Sequence, residues 1–186
     1  TTTGNTIGHA STANSIQNSG GSTFIGINSS STGVVNFSNN TIANFTGTGT
    51  GTSIGMRGIS HTGAGTLTVS NNSIHTLTCA AATLSATTAS ILGIYSASAS
   101  IGQVISSNTI YDLRQTNATA GNQVIGINLN NSTGTGTISR NRIYGFENPS
   151  TSATAYIKGM QANEGTWTFV NNMISVTNGS NTNGPI

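Results

Sequence analysis

Six copies of Asn-x-Ile recur along this chain at nearly equal intervals, and that repeat constrains the fold more than any other feature. Five sit in octets that align without gaps: VNFSNNTI (35–42), LTVSNNSI (67–74), QVISSNTI (103–110), GTISRNRI (136–143) and WTFVNNMI (167–174). A truncated copy, TTTGNTI, opens the chain at 1–7. The shared Asn is Asn5, Asn40, Asn72, Asn108, Asn141 and Asn172, at intervals of 35, 32, 36, 33 and 31 residues. A second marker keeps step: Gly26, Gly58, Gly93, Gly126 and Gly159, each followed by Ile or Met and preceded two residues earlier by another apolar residue. A chain with such a period builds one supersecondary unit per repeat and buries its apolar face by stacking the units.

Within each octet alternate positions are mostly apolar, as at Phe37, Val69, Ile105, Ile138 and Phe169, with Thr, Ser or Asn between them. That is the period-2 pattern of a strand with one dry face. Helix is opposed throughout by Gly, Asn and β-branched residues. The Asn breaks the alternation, so a bend is expected there, with Asn itself tolerating the left-handed conformation. The apolar-x-Gly-apolar marker breaks parity in the same way and predicts a bulge or corner at the glycine.

These features predict an all-β fold, a parallel β-solenoid of about five and a half coils of about 33 residues, spanning 1–186 as one segment. Stacking at about 4.8 Å then makes two ladders. Ile42, Ile74, Ile110, Ile143 and Ile174 line the interior, and Asn40, Asn72, Asn108, Asn141 and Asn172 stack at the bend with their amides paired. Length varies mainly in 46–53, 78–90, 114–122 and 147–155, which are expected to emerge as loops on one side.

Stacked Asn at a bend beside stacked Ile resembles the right-handed parallel β-helix of the pectin-lyase-like superfamily. The Thr-, Asn- and Gly-rich, charge-poor version is similar to repeat regions in large secreted surface proteins of Bacteroidota-type bacteria. The resemblance implies a right-handed coil and an extracellular setting. It implies no single activity, because that fold carries lyases, hydrolases, adhesins and phage spikes.

Chemistry is sparse. Enzymes of that superfamily use clustered carboxylates, and this chain has Asp112, Glu147 and Glu164 alone, at different repeat positions and therefore not expected to converge. No catalytic residue, cofactor or metal site is assigned. His9, His61 and His75 lack ligand spacing, and His75 is expected on the solvated outer face. The lone Cys79 reads as a small loop residue. Five basic residues are scattered without a cluster, which argues against nucleic acid. No apolar run nears the roughly 20 residues of a membrane-spanning helix.

Two outward features carry binding potential. Three residues after the Asn stand Ala43, His75, Tyr111, Tyr144 and Ser175, and Tyr111 with Tyr144 forms a candidate sugar platform on adjacent coils. Thr66/Thr68, Thr135/Thr137 and Thr166/Thr168 share a second register, an array of the kind some ice-binding solenoids present; Val34/Asn36 and Gly102/Val104 interrupt it.

Thr, Ser, Asn and Gly number 32, 25, 24 and 24, and only eight residues are charged. Such a composition suits an extracellular or cell-surface product. The expected function is a structural or adhesive module of a long surface protein or fibre. The alternative is a carbohydrate-active or carbohydrate-binding β-helix whose catalytic part lies elsewhere. The chain starts inside an octet and ends at NGPI (183–186), so both ends are read as cut in mid-repeat. The expected partners are flanking β-helix coils, head-to-tail copies of the chain, and surface polysaccharide.

Overall fold

The computed structural model describes residues 4–49, 54–81 and 90–176. These residues form a parallel β-solenoid of about five turns, each of about 33 residues, and contain no helix. Each turn contributes one strand to each of three parallel sheets. Sheet 1 stacks β3 (Phe24–Ser29), β6 (Met56–His61), β9 (Ile91–Ser96), β12 (Gln123–Leu129) and β15 (Tyr156–Ala162). Sheet 2 stacks β4 (Val35–Ser38), β7 (Leu67–Ser70), β10 (Gln103–Ser106), β13 (Thr135–Ser139) and β16 (Thr166–Val170). Sheet 3 stacks β5 (Thr41–Gly47), β8 (Ser73–Cys79), β11 (Thr109–Gln115), β14 (Arg142–Tyr144) and β17 (Met173–Ser175), with β1 (Thr6–Ile7) and β2 (Ile16–Asn18) both pairing to β5.

Register follows the repeat: Ile7, Ile42, Ile74, Ile110, Ile143 and Ile174 pair in sequence down sheet 3. Ile42, Ile74, Ile110 and Ile143 are wholly buried. Ile174, read as an interior residue, is instead 46% exposed, because β17 is the edge strand and no described coil lies beyond it.

Both parity breaks have a structural cause, and neither matches its sequence reading in full. At the sheet 2 to sheet 3 bend the left-handed residue is the one before the ladder Asn: Asn39, Asn71, Ser107, Arg140 and Asn171, with φ between 53° and 62°. The ladder Asn follows it into the interior. In sheet 1 the glycine lies within the strand, not at a corner. The residues two before and one after it, such as Met56 and Ile59, both enter the core. A Cβ at Gly58 would lie 2.6 Å from Ile74 Cγ2 and 2.6 Å from the Gly93 carbonyl. The glycine column therefore gives the Ile column of the facing sheet room to pack.

A further kink, in sheet 3, escaped the sequence reading. Gly8, Asn44, Thr76, Asp112 and Gly145 all take positive φ, from 52° to 80°. The kink returns the chain inward after three residues rather than two, so Phe45, Leu77, Leu113 and Phe146 form a second buried column. Cys79 closes β8 and is buried in the core, where desolvation raises its thiol pKa; the loop assignment is wrong. The described parts of the variable segments lie between a sheet 3 strand and the next sheet 1 strand, which puts them at one corner of the coil. Thr46–Gly47, Thr78–Cys79 and Arg114–Gln115 still belong to strands, while 50–53 and 82–89 lie outside the described residues.

Candidate functional site

Two arrays stand out from the regular coil: the asparagine ladder, and a strip on the outer face of sheet 3. The ladder is a continuous hydrogen-bond chain. Asn72 donates its backbone N–H and its Nδ2 to Asn108 Oδ1 at 3.0 and 2.9 Å. Asn108 donates in the same way to Asn141 Oδ1, and Asn141 to Asn172 Oδ1. Asn40 bonds to Asn72, and Asn5 to Asn40, by the same pair of contacts. Asn72, Asn108, Asn141 and Asn172 each also send Nδ2 to a sheet 2 carbonyl of the preceding coil, as Asn108 does at Val69 O (2.9 Å). Asn40, Asn72, Asn108 and Asn141 are buried and Asn172 is partly so.

The outer strip runs down the column that follows each ladder Ile. His75, Tyr111 and Tyr144 stack across three coils, with centroids 4.6 and 5.2 Å apart and planes within 11° and 3° of parallel. The Arg142 guanidinium lies 4.6 Å from the Tyr144 ring centroid. The rings therefore turn much of their faces to one another and to Arg142, and offer solvent mainly edges and hydroxyls. His75 points outward but is only 7% exposed, not solvated as expected, because the Tyr111 ring covers it. Burial lowers the His75 pKa, opposed by the nearby Asp112 charge. Burial raises the Tyr111 pKa, with Tyr144 and Asp112 adding to the rise and a Ser73 hydrogen bond opposing it.

Beside this stack the structure brings together groups that the sequence reading had kept apart. Arg114 Nη2 lies 3.3 Å from Asp112 Oδ1, and Arg114 Nε lies 3.3 Å from Glu147 Oε2. Asp112 and Glu147 therefore do converge, on a shared cation. The signal was available: Arg114 and Glu147 each fall six residues after their ladder Asn, so stacking sets opposite charges on adjacent coils. Comparing the acids only with each other hid it. All three side chains are partly open to solvent, at 47%, 34% and 56% exposure for Arg114, Asp112 and Glu147. Gly145, at φ 67°, leaves the neighbouring position without a side chain.

Other candidates remain dispersed. His61 is wholly buried, with Nε2 3.3 Å from the Gly65 carbonyl, and His9 caps a turn at Ser11 and Thr12. Among the described residues no three His, Cys, Asp or Glu side chains gather closely enough to hold a metal ion. The Thr pairs do share outward columns of sheet 2, interrupted by Val104 and Asn36. No protein-family model matches this chain, nor does any curated protein or any solved structure.

Proposed function

We propose that the chain is a structural and adhesive module of an extended extracellular or cell-surface protein, a stiff rod whose work is to span, space and display. The observation that carries this reading is the asparagine ladder, which is hydrogen-bonded without a gap from Asn5 to Asn172. Buried amides satisfied between coils resist separation, since each orphaned polar group costs roughly 1–3 kcal/mol. The stacked Asn and Ile beside one bend support a coil of the pectin-lyase-like, right-handed kind. A surface of Thr, Ser and Asn with eight charges supports the extracellular setting. The reading is non-enzymatic: Asp112 and Glu147 are both engaged by Arg114 in an exposed position, which supports binding more than acid–base work.

The test is mechanical. The chain is held between handles at Gly4 and Val176 and extended by single-molecule force spectroscopy. Stepwise rupture, at forces that fall in Asn108→Ala, supports the rod; extension of the wild type without rupture peaks overturns it.

A second reading, a face that binds surface polysaccharide, is favoured by one observation: Arg114 with its two carboxylates stands beside Tyr111 and Tyr144. Planar polar groups next to aromatic edges suit a sugar's hydroxyls and C–H groups. Screening against immobilised polysaccharides tests it, with Tyr144→Ala and Arg114→Ala as controls. Binding that both substitutions leave unchanged would remove the strip from consideration.

A further inference from the structure

The outer strip of sheet 3 is charged yet balanced. From Arg142 across to Glu147 it carries two cations, Arg142 and Arg114, and two carboxylates, Asp112 and Glu147. Arg142 rests on the Tyr144 ring at 4.6 Å, and Arg114 is shared between the two acids at 3.3 Å each. A guanidinium has several donors and a carboxylate several acceptor sites, so one such contact to each acid leaves most of that capacity facing outward. With Arg114, Asp112 and Glu147 all partly open to solvent, the trio presents donors and acceptors side by side rather than a field of one sign.

The same place holds a gap. At the kink of sheet 3 successive coils carry Asn44, Thr76, Asp112 and Gly145. Gly145 is the one without a side chain, and it stands between Tyr144 and Glu147 along its coil and beside Asp112 across coils. A Cβ placed there would meet, among the described residues and apart from its chain neighbours, only the Asp112 backbone nitrogen, at 3.7 Å. The gap has room for a hydroxyl or hydroxymethyl group, with a tyrosine on one side and carboxylates on the others.

We propose that this strip binds a neutral polysaccharide, one sugar edge seated at Gly145, with hydroxyls donating to Asp112 and Glu147 and accepting from Arg114 beside the edge of Tyr144. The charge pattern carries the choice. A uronic-acid polymer would have to take Arg114 from two carboxylates that already hold it, and would add a third negative charge beside them. An amino-sugar polymer would compete with Arg114 for the same carboxylates and meet Arg142 next to Tyr144. Neutral hydroxyls both donate and accept, so they join the network without displacing an ion pair. The proposal rests on the polysaccharide reading above and narrows its ligand to one class.

Affinity electrophoresis of the full chain is the test, through gels holding a neutral polymer (a glucan, a mannan or a xylan), an acidic one (polygalacturonate) or a basic one (chitosan), with circular dichroism to confirm folding. The wild type is expected to be retarded by a neutral polymer, equally at low and high salt, because no ligand charge is there to be screened. Gly145→Asn fills the gap with a residue that the kink already accepts at Asn44, and is expected to weaken retardation about tenfold, the worth of one hydrogen bond to a charged group. Asp112→Asn leaves the cations in excess and is expected to add a salt-sensitive retardation by the acidic polymer. Wild-type retardation mainly by the acidic or the basic polymer would overturn the neutral ligand and keep the polysaccharide reading. Retardation by none of the three classes would end both. Neutral retardation that survives Gly145→Asn and Arg114→Ala, with the variants folded, would put the sugar elsewhere and overturn the proposal.

Discussion

Each coil changes direction at two left-handed residues, and the two places are built differently. At the bend between sheets 2 and 3 the residue after the left-handed one is always Asn, and its amide is spent inside, coil to coil. At the kink within sheet 3 the left-handed residue is Gly8, Asn44, Thr76, Asp112 or Gly145, no two neighbours alike. There the constant part is the column inside, Phe45, Leu77, Leu113 and Phe146, while the outside carries the rings and charges. A solenoid can thus fix its period at one place and leave another free to vary.

The comparison is broken most severely by removing a ladder amide. Asn108→Ala leaves the Asn72 N–H without its acceptor, takes one acceptor from Asn72 Nδ2, which keeps the Phe37 and Ser70 carbonyls, and takes a donor from the Val69 carbonyl, all in a dry interior. A loss of about 3–4 kcal/mol is expected from groups at roughly 1–3 kcal/mol each, read by urea denaturation. Asn172→Ala removes the same chemistry at the partly exposed edge, where water can substitute, and is expected to cost only about 1 kcal/mol. Equal costs at the two positions would show that burial between coils is not what gives the ladder its strength.

The kink should respond in the opposite direction. Thr76 is β-branched and held at φ 53°, a conformation that disfavours such side chains by about 1–2 kcal/mol. Asn44 holds the equivalent place one coil earlier. Thr76→Asn is therefore expected to stabilise the fold by about 1 kcal/mol, seen as a raised urea midpoint. A loss of stability would mean that the Thr76 hydroxyl, 3.1 Å from His75 Nδ1, matters more than the strain. Smaller still is Arg114→Ala. Its two ion pairs lie in solvent, so a change below about 0.5 kcal/mol is expected. A larger loss would mark the cluster as part of the coil's support and weaken its standing as a display site.

The two places also differ in how well the sequence revealed them. The Asn-x-Ile period exposed sheets 2 and 3, their register and the solenoid itself, because stacking demands the same residue at the same offset in every coil. The sheet 3 kink was legible in principle: Ile42/Phe45, Ile74/Leu77, Ile110/Leu113 and Ile143/Phe146 repeat an apolar pair three apart. It was missed because its left-handed residue changes identity, and no fixed letter marks it. The charged cluster was missed for a different reason. Asp112 and Glu147 meet through Arg114, so the contact depends on a third residue and on the kink that brings position four beside position six.

The smallest expected effect concerns His75, and it follows from the covering of the kink's outer face. Burial under the Tyr111 ring penalises the charged imidazole, and the Asp112 charge opposes that penalty without overcoming it, so the folded pKa lies below the ordinary value of 6.5. At about pH 7.5 and above, well over the ordinary value of about 6.5, the ring is neutral in folded and unfolded chains alike and has no effect on the balance. As pH falls through that value the unfolded chain binds the proton first, so stability drops, and it continues to drop until the folded ring also titrates. Proton NMR titration should give His75 a midpoint below 6.5. The melting temperature of the wild type should also fall relative to His75→Phe between about pH 7.5 and about pH 5, with His9 and His61 common to both chains and cancelling. A midpoint at or above the ordinary value would mean that Asp112 outweighs burial. The strip would then be an open, wet surface, and the contrast between a dry ladder and a covered display face would lose its second half.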